Sequence, residues 1–166
     1  MHLVEVVGNM HMHTPYSDGE WYHADIARAA IRAGLDFIIV TDHNVWVDGI
    51  PPYHTAGDGK KKVLVITGEE VHDQALEPQS NHLLVYKARR ELAAFAYDPQ
   101  LLLDCVNEAK GLAFLAHPFD YGTPLVNYEP IHWRRWDVNG FHGLEIWNYM
   151  SEFAGLLASP SAAIKY

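Results

Sequence analysis

Cysteine is almost missing from this chain. Cys105 is the only one, which excludes an internal disulfide framework and a Cys-rich zinc finger. Long apolar runs are missing as well: no stretch of about 18 apolar residues reads as a membrane-spanning helix. Met1-His2-Leu3-Val4-Glu5 lacks the basic start, apolar stretch and small-residue cleavage site of a signal peptide, so a cytoplasmic location is expected. Positive charge is scarce, with 12 Lys and Arg against 21 Asp and Glu for a formal charge of −9. A surface of that sign repels polyanions, which disfavours nucleic acid as a partner. No Ser-His-Asp or Cys-His nucleophile signature stands out. What the chain does have is histidine, in 11 copies, the commonest metal ligand among side chains and a proton shuttle near neutral pH.

The 166 residues amount to one domain, and 49% hydrophobic content is enough to bury a core. Short apolar runs alternate with helical patterns. Leu3–Val7, Phe37–Val40, Val63–Ile66, His82–Tyr86, Leu112–Leu115 and Leu144–Trp147 read as six strands. Asp25–Ala33 and Pro99–Lys110 read as one-faced helices, each followed by a glycine stop at Gly34 and Gly111. Loops are expected at about 47–60 and 119–141. Strands apolar on both faces, alternating with helices, predict a parallel α/β sheet, open or barrel-like. In such barrels chemistry gathers at the C-terminal ends of the strands.

Those ends are where the polar clusters fall. His11 and His13 flank Met12, so an extended backbone points both rings to one side, and Ser17-Asp18-Gly19 then turns a carboxylate back toward them. Asp42-His43 closes the most apolar run, where unpaired charge is costly. Thr41 and Asn44 stand beside that pair as candidates to orient its members. Glu69-Glu70 follows Gly68, His82 opens the next strand, and His117-Pro118 ends the one after. His72 and Asp73 follow the glutamates and suit either a pocket lining or the surface. Arg134 and Arg135, between Trp133 and Trp136, suit either a phosphate clamp or an exposed loop.

In order along the chain, His11-Met12-His13 with Ser17-Asp18-Gly19, Thr41-Asp42-His43, Gly68-Glu69-Glu70, Asn81-His82-Leu83-Leu84, Ala116-His117-Pro118 and Gly143-Leu144-Glu145-Ile146-Trp147-Asn148 resemble the PHP family, the polymerase-and-histidinol-phosphatase metallohydrolases. The resemblance implies a distorted (β/α)7 barrel holding two or three divalent ions, zinc, manganese or iron. It places His11 and His13 on the first metal, Asp18 and His43 on the second, and Glu70 between the first and third. His82 and His117 complete the third, and Asp18, His43 and Glu70 carry catalysis. The family's closing Asp-x-His is absent after Glu145, where Glu152 is the only carboxylate and no histidine follows. The expectation is therefore a single PHP-like domain, 1–166, incomplete after about residue 150 with six strands present.

The implied activity is hydrolysis of a phosphoester in a small phosphorylated substrate by metal-activated water. His72, Arg134 and Arg135 are possible substrate contacts, and Trp46, Tyr53, Phe119 and Tyr121 are expected to shape the pocket. Two alternatives stand beside it: a hydrolase of carboxylate esters or carbamates, and a non-catalytic metal-binding fragment. Oligomeric state is not legible.

Overall fold

The computed structural model describes residues 3–55, 59–123, 125, 127–157 and 159–164. Met1, His2, residues 56–58, Pro124, Val126, Ala158, Lys165 and Tyr166, which include parts of both expected loops and of the chain's start and end, lie outside the described residues. The described residues form seven strands, β1 (Gly8–Asn9), β2 (Phe37–Val40), β3 (Tyr53–Thr55), β4 (Lys62–Val71), β5 (Leu83–Tyr86), β6 (Leu112–Leu115) and β7 (Gly143–Leu144). The helices are α1 (His23–Ala33), α2 (Pro99–Glu108), α3 (Tyr149–Leu156) and α4 (Pro160–Ala163).

Six strands run in the order β1-β2-β4-β5-β6-β7, and β3 pairs off that path with β4. β1, β2 and β4 are mutually parallel, as are β6 and β7, but β5 is antiparallel to both β4 and β6. The all-parallel expectation is therefore corrected at β5. Residues 72–82 between β4 and β5 contain no crossover helix, and a parallel return needs one. The reversal has a consequence for chemistry. His82 opens β5, yet it lies at the sheet end where β4 and β6 finish, beside Ala116, whose N–H donates to the His82 carbonyl at 3.0 Å.

Other boundaries move as well. Leu3–Val7 forms no strand: these residues are exposed, and their recorded ties are to Asp36 and Phe37 through Val7. The first strand is instead Gly8–Asn9. β4 is longer than expected, because Gly68-Glu69-Glu70 continues the strand instead of turning. β3 appears inside the expected loop, and the last strand shrinks to Gly143–Leu144.

Local chemistry explains the helices. α1 buries Ala27, Ala30 and Ile31 on one face and stops at Gly34, whose φ of 79° is a left-handed conformation that costs glycine little. α2 starts with Pro99 after Asp98, whose carboxylate accepts the N–H groups of Gln100 and Leu101. α1 packs on β2 and β4 around Ile38, Val40 and Val65. The stripe of α2, Leu102, Leu103 and Val106, packs with Val85, Ala113 and the buried Trp133. Ile39, Leu84, Tyr86 and Ala116 form a third cluster.

The sheet curls strongly. β1 and β7 are its two ends, yet His11 just past β1 bonds Glu145 just past β7 at 2.9 Å. The result is an α/β fold with a curled, half-barrel sheet of six strands. No helix among the described residues is long and apolar enough to cross a membrane.

Candidate metal centre

Glu70 sits at the centre, 1% exposed. Alternation along β4 puts neighbouring side chains on opposite faces, so Glu70 enters the curled sheet while Glu69 points away beneath Leu92. One Glu70 oxygen, Oε2, faces His11 Nε2 at 2.9 Å, His13 Nε2 at 3.2 Å and His43 Nδ1 at 3.3 Å. The other, Oε1, faces His82 Nδ1 at 2.9 Å and His117 Nε2 at 3.0 Å. These rings come from the ends of β1, β2 and β6 and from the start of the reversed β5. Asp18, on the turn after β1, lies 3.7 Å from both His13 Nδ1 and His43 Nε2.

Three groups have ligand atoms close enough to share a cation: His11, His13 and Glu70; His13, Asp18 and His43; and His43, Glu70 and His82. The donors fit such ions. Five imidazoles around one carboxylate exceed what a single salt bridge needs, and His11 Nε2 and His13 Nε2 approach to 3.2 Å. His13 Nδ1, His43 Nδ1 and His82 Nε2 are buried without a hydrogen-bond partner among the described residues. Buried nitrogens in that state are costly unless something is bound.

The electrostatics have the same focus. Burial alone would lower the His11 pKa, but the Glu70 and Glu145 carboxylates raise it to about 10. Burial would likewise push Glu70 up, but the surrounding imidazoles, His11 foremost, hold it well below the carboxylate range. His117 is raised, because bonding to Glu70 outweighs its burial. His43 is lowered, by burial first and then by its histidine neighbours.

A surrounding set of residues holds these donors, and most of their roles are invisible in the sequence. Glu145 Oε1 meets His11 Nδ1 at 2.9 Å, and its Oε2 accepts the His117 backbone N–H, also at 2.9 Å. Buried Asp42 is no ligand. Its Oδ1 accepts from the Thr14 N–H at 2.6 Å and Ser17 Oγ at 2.9 Å, and its Oδ2 accepts from Thr14 Oγ1 at 2.7 Å. It thereby folds the turn that presents Asp18. Asn44 accepts the His72 backbone N–H at 2.9 Å, and Thr41 bonds the Met12 carbonyl. Asn44, Asn81 and His117 adopt positive φ of 53°, 59° and 28°, a region that residues other than glycine seldom occupy.

His72 is 5% exposed and stacks on His82, with ring centroids 4.2 Å apart and planes 18° from parallel. His72 belongs to none of the three groups whose ligand atoms can share an ion, so it stands beside them. Arg134 and Arg135 donate backbone N–H groups to Asn81, while the exposed Arg135 guanidinium bonds Asp137. Neither arginine lines either of two cavities at the site, and neither do Trp46, Tyr53, Phe119 or Tyr121. Phe119 stacks on Trp136 at the surface, Trp133 is buried in the core, and Tyr128 lines one of the cavities. A cavity of about 920 Å³ carries the centre on its wall and runs between β1 and β7 past Leu84, Tyr86 and Phe114. A second, of about 600 Å³, opens on the other side of His43.

A histidine-carboxylate cluster at one end of a curled α/β sheet, with groups that could hold metal ions, is the kind of site metal-dependent proteins build on strand ends. The PHP domain profile matches residues 9–126, and the chain belongs to the PHP domain family. No curated protein matches the chain significantly. A crystal structure from Bifidobacterium adolescentis, named for a proposed metal-dependent phosphoesterase, is similar at a TM-score of 0.54 and 15% identity, over 92% of this chain and 83% of that one. A two-domain protein from Bacteroides vulgatus, named for a proposed PHP-like metal-dependent phosphoesterase, aligns at a TM-score of 0.44 and 21% identity. That alignment covers 68% of this chain, which spans only 35% of the two-domain protein.

Proposed function

We propose that this protein hydrolyses a phosphoester in a small phosphorylated substrate, using water and divalent ions, on a PHP-type distorted barrel. The observation that carries the reading is the environment of Glu70, a buried carboxylate with five imidazoles within 3.3 Å. Membership of the PHP family supports it. His11, His13 and Glu70 would hold one ion, His13, Asp18 and His43 a second, and Glu70 with His82 and His117 a third. Imidazole-rich donors suit zinc, manganese or iron better than magnesium alone. Such ions, when bound, supply Lewis acidity to the phosphoryl oxygen and to water.

The chain's own residues prepare the donors. Glu145 engages His11 at Nδ1, leaving Nε2 directed at Glu70. The Ile131 carbonyl accepts from His117 Nδ1 at 2.8 Å, which orients Nε2 toward Glu70. Asp18, the most exposed of the donors, faces the open cavity with His43 and would take the proton released from attacking water.

One observation favours a second reading, hydrolysis of a carboxylate ester or carbamate: no Lys or Arg is among the described residues lining either cavity. Elemental mass spectrometry on protein purified without chelators, followed by assays with 4-nitrophenyl phosphate and 4-nitrophenyl acetate, separates the readings. The expected result is two or three ions per chain and phosphate turnover that EDTA abolishes and zinc or manganese restores. Turnover should also vanish in His11→Ala with the fold retained. Turnover of acetate alone would favour the second reading, and bound metal with no turnover of either would leave a metal-binding module.

A further inference from the structure

The 600 Å³ groove is not needed to hold any metal, yet it meets the centre at His43, which lines both cavities. Its walls come from the segments after β1, β2 and β4 and from the short turn at Ala93–Phe95. These are the strand ends at which the donors lie. The larger cavity's apolar arm has a different character. It runs past Leu35 and Leu84 along the inner face of the sheet, and the same cavity carries the donors on its wall. The groove is thus a second space next to the reacting centre, joined to it at His43, into which a substrate can extend.

The groove's chemistry is specific in what it omits. Among the described lining residues there is no Lys or Arg, and the one carboxylate, Asp73, is spent partly on the Ala75 N–H at 2.9 Å. Ala75, Ala93, Ala94 and Ala96 leave the walls small and uncharged, and Tyr16 and Tyr97 stand exposed at the edge. A second anionic group on a substrate would find no Lys or Arg to pair with among the described residues lining the groove. It would instead meet Asp73 in the groove, within a chain of formal charge −9. Unpaired like charge of that kind discriminates strongly between ligands.

We infer that the substrate carries a single anionic group, the one placed over the metal centre, and that its uncharged organic remainder lies in the groove between His43 and Tyr97. This rests on the metal-dependent phosphoesterase reading and narrows it. Sugar bisphosphates, nucleoside polyphosphates and nucleic acid fall outside the class; aryl or alkyl phosphates with neutral substituents fall within it.

The test uses non-hydrolysable probes, so that binding is read apart from turnover. Phenylphosphonate, 4-acetamidophenylphosphonate and 4-carboxyphenylphosphonate are titrated into the metal-loaded full chain by calorimetry, alongside kcat/KM for the matching phosphates. The two probes with uncharged substituents should bind about tenfold or more tightly than the carboxylated one. Ala94→Arg alters an exposed groove residue outside the centre. It should recover about fivefold of the carboxylated probe's deficit and leave phenylphosphonate and metal content unchanged. Equal affinity for all three probes, no binding of any, or an unchanged deficit in Ala94→Arg overturns the inference. Discrimination among phosphonates with no turnover of any phosphate would sink the phosphoesterase reading and leave the groove's selectivity standing.

Discussion

Replacing Glu70 with glutamine keeps the volume of the side chain and removes the charge to which five imidazoles respond. The size of the effect follows from His11. Burial disfavours its protonated form, yet the carboxylates of Glu70 and Glu145 raise its pKa from 6.5 to about 10. A histidine whose folded pKa is raised stabilises the fold fully below its unfolded pKa, and the contribution fades as pH climbs to the folded value. At 1.36 kcal/mol per pH unit, the ion cluster contributes about 4 kcal/mol to the metal-free protein at pH 7. Glu145 keeps its 2.9 Å contact in the variant and retains part of this, so the loss in Glu70→Gln is about 2–3 kcal/mol. The assay is urea unfolding of both EDTA-treated proteins between pH 6.5 and 10, with matching slopes required before comparison. The gap should be widest at pH 6.5 and close, or reverse, toward pH 10, where a neutral His11 no longer rewards the buried anion. A gap independent of pH, or a variant no less stable at pH 6.5, would refute the electrostatic account of this cluster.

Glu69 faces the opposite way. Burial raises it from 4.5 to about 7 against the opposing Leu92 N–H bond, so stability falls as pH rises through that window. Glu69→Gln keeps an acceptor for Leu92 and should gain up to about 3 kcal/mol at pH 8 and almost nothing at pH 4.5; equal gains at both would contradict this. Gly19 lies so close to the turn before it that an added Cβ would collide with the His13 carbonyl oxygen, a backbone atom that cannot swing aside. Gly19→Ala should therefore destabilise by about 1–3 kcal/mol and displace Asp18. The readout is a metal content lowered by one ion per chain, and an unchanged stoichiometry would refute it.

Much of the local structure is written in the order of residues. Four apolar residues at 37–40 with a polar pair after them specify a buried strand and its end. Pro99 after Asp98 specifies a helix start, and Gly34 specifies a helix stop, because backbone sterics and capping are local. Histidine and carboxylate types at successive strand ends also announce metal chemistry before any contact is known. The tertiary structure alone decided what those local signals do to one another. Period-two alternation says that Glu69 and Glu70 part company, but only the curl of the sheet puts Glu70 among five rings and Glu69 under Leu92. Only the antiparallel pairing of β5 brings a histidine from a strand's beginning to the others' ends. Glu145 reaches His11 across 134 residues of chain, and Asp42 spends its charge on Thr14 and Ser17 instead of on a metal. Such pairings depend on which edges meet when the sheet closes on itself, a long-range packing outcome that no local pattern encodes.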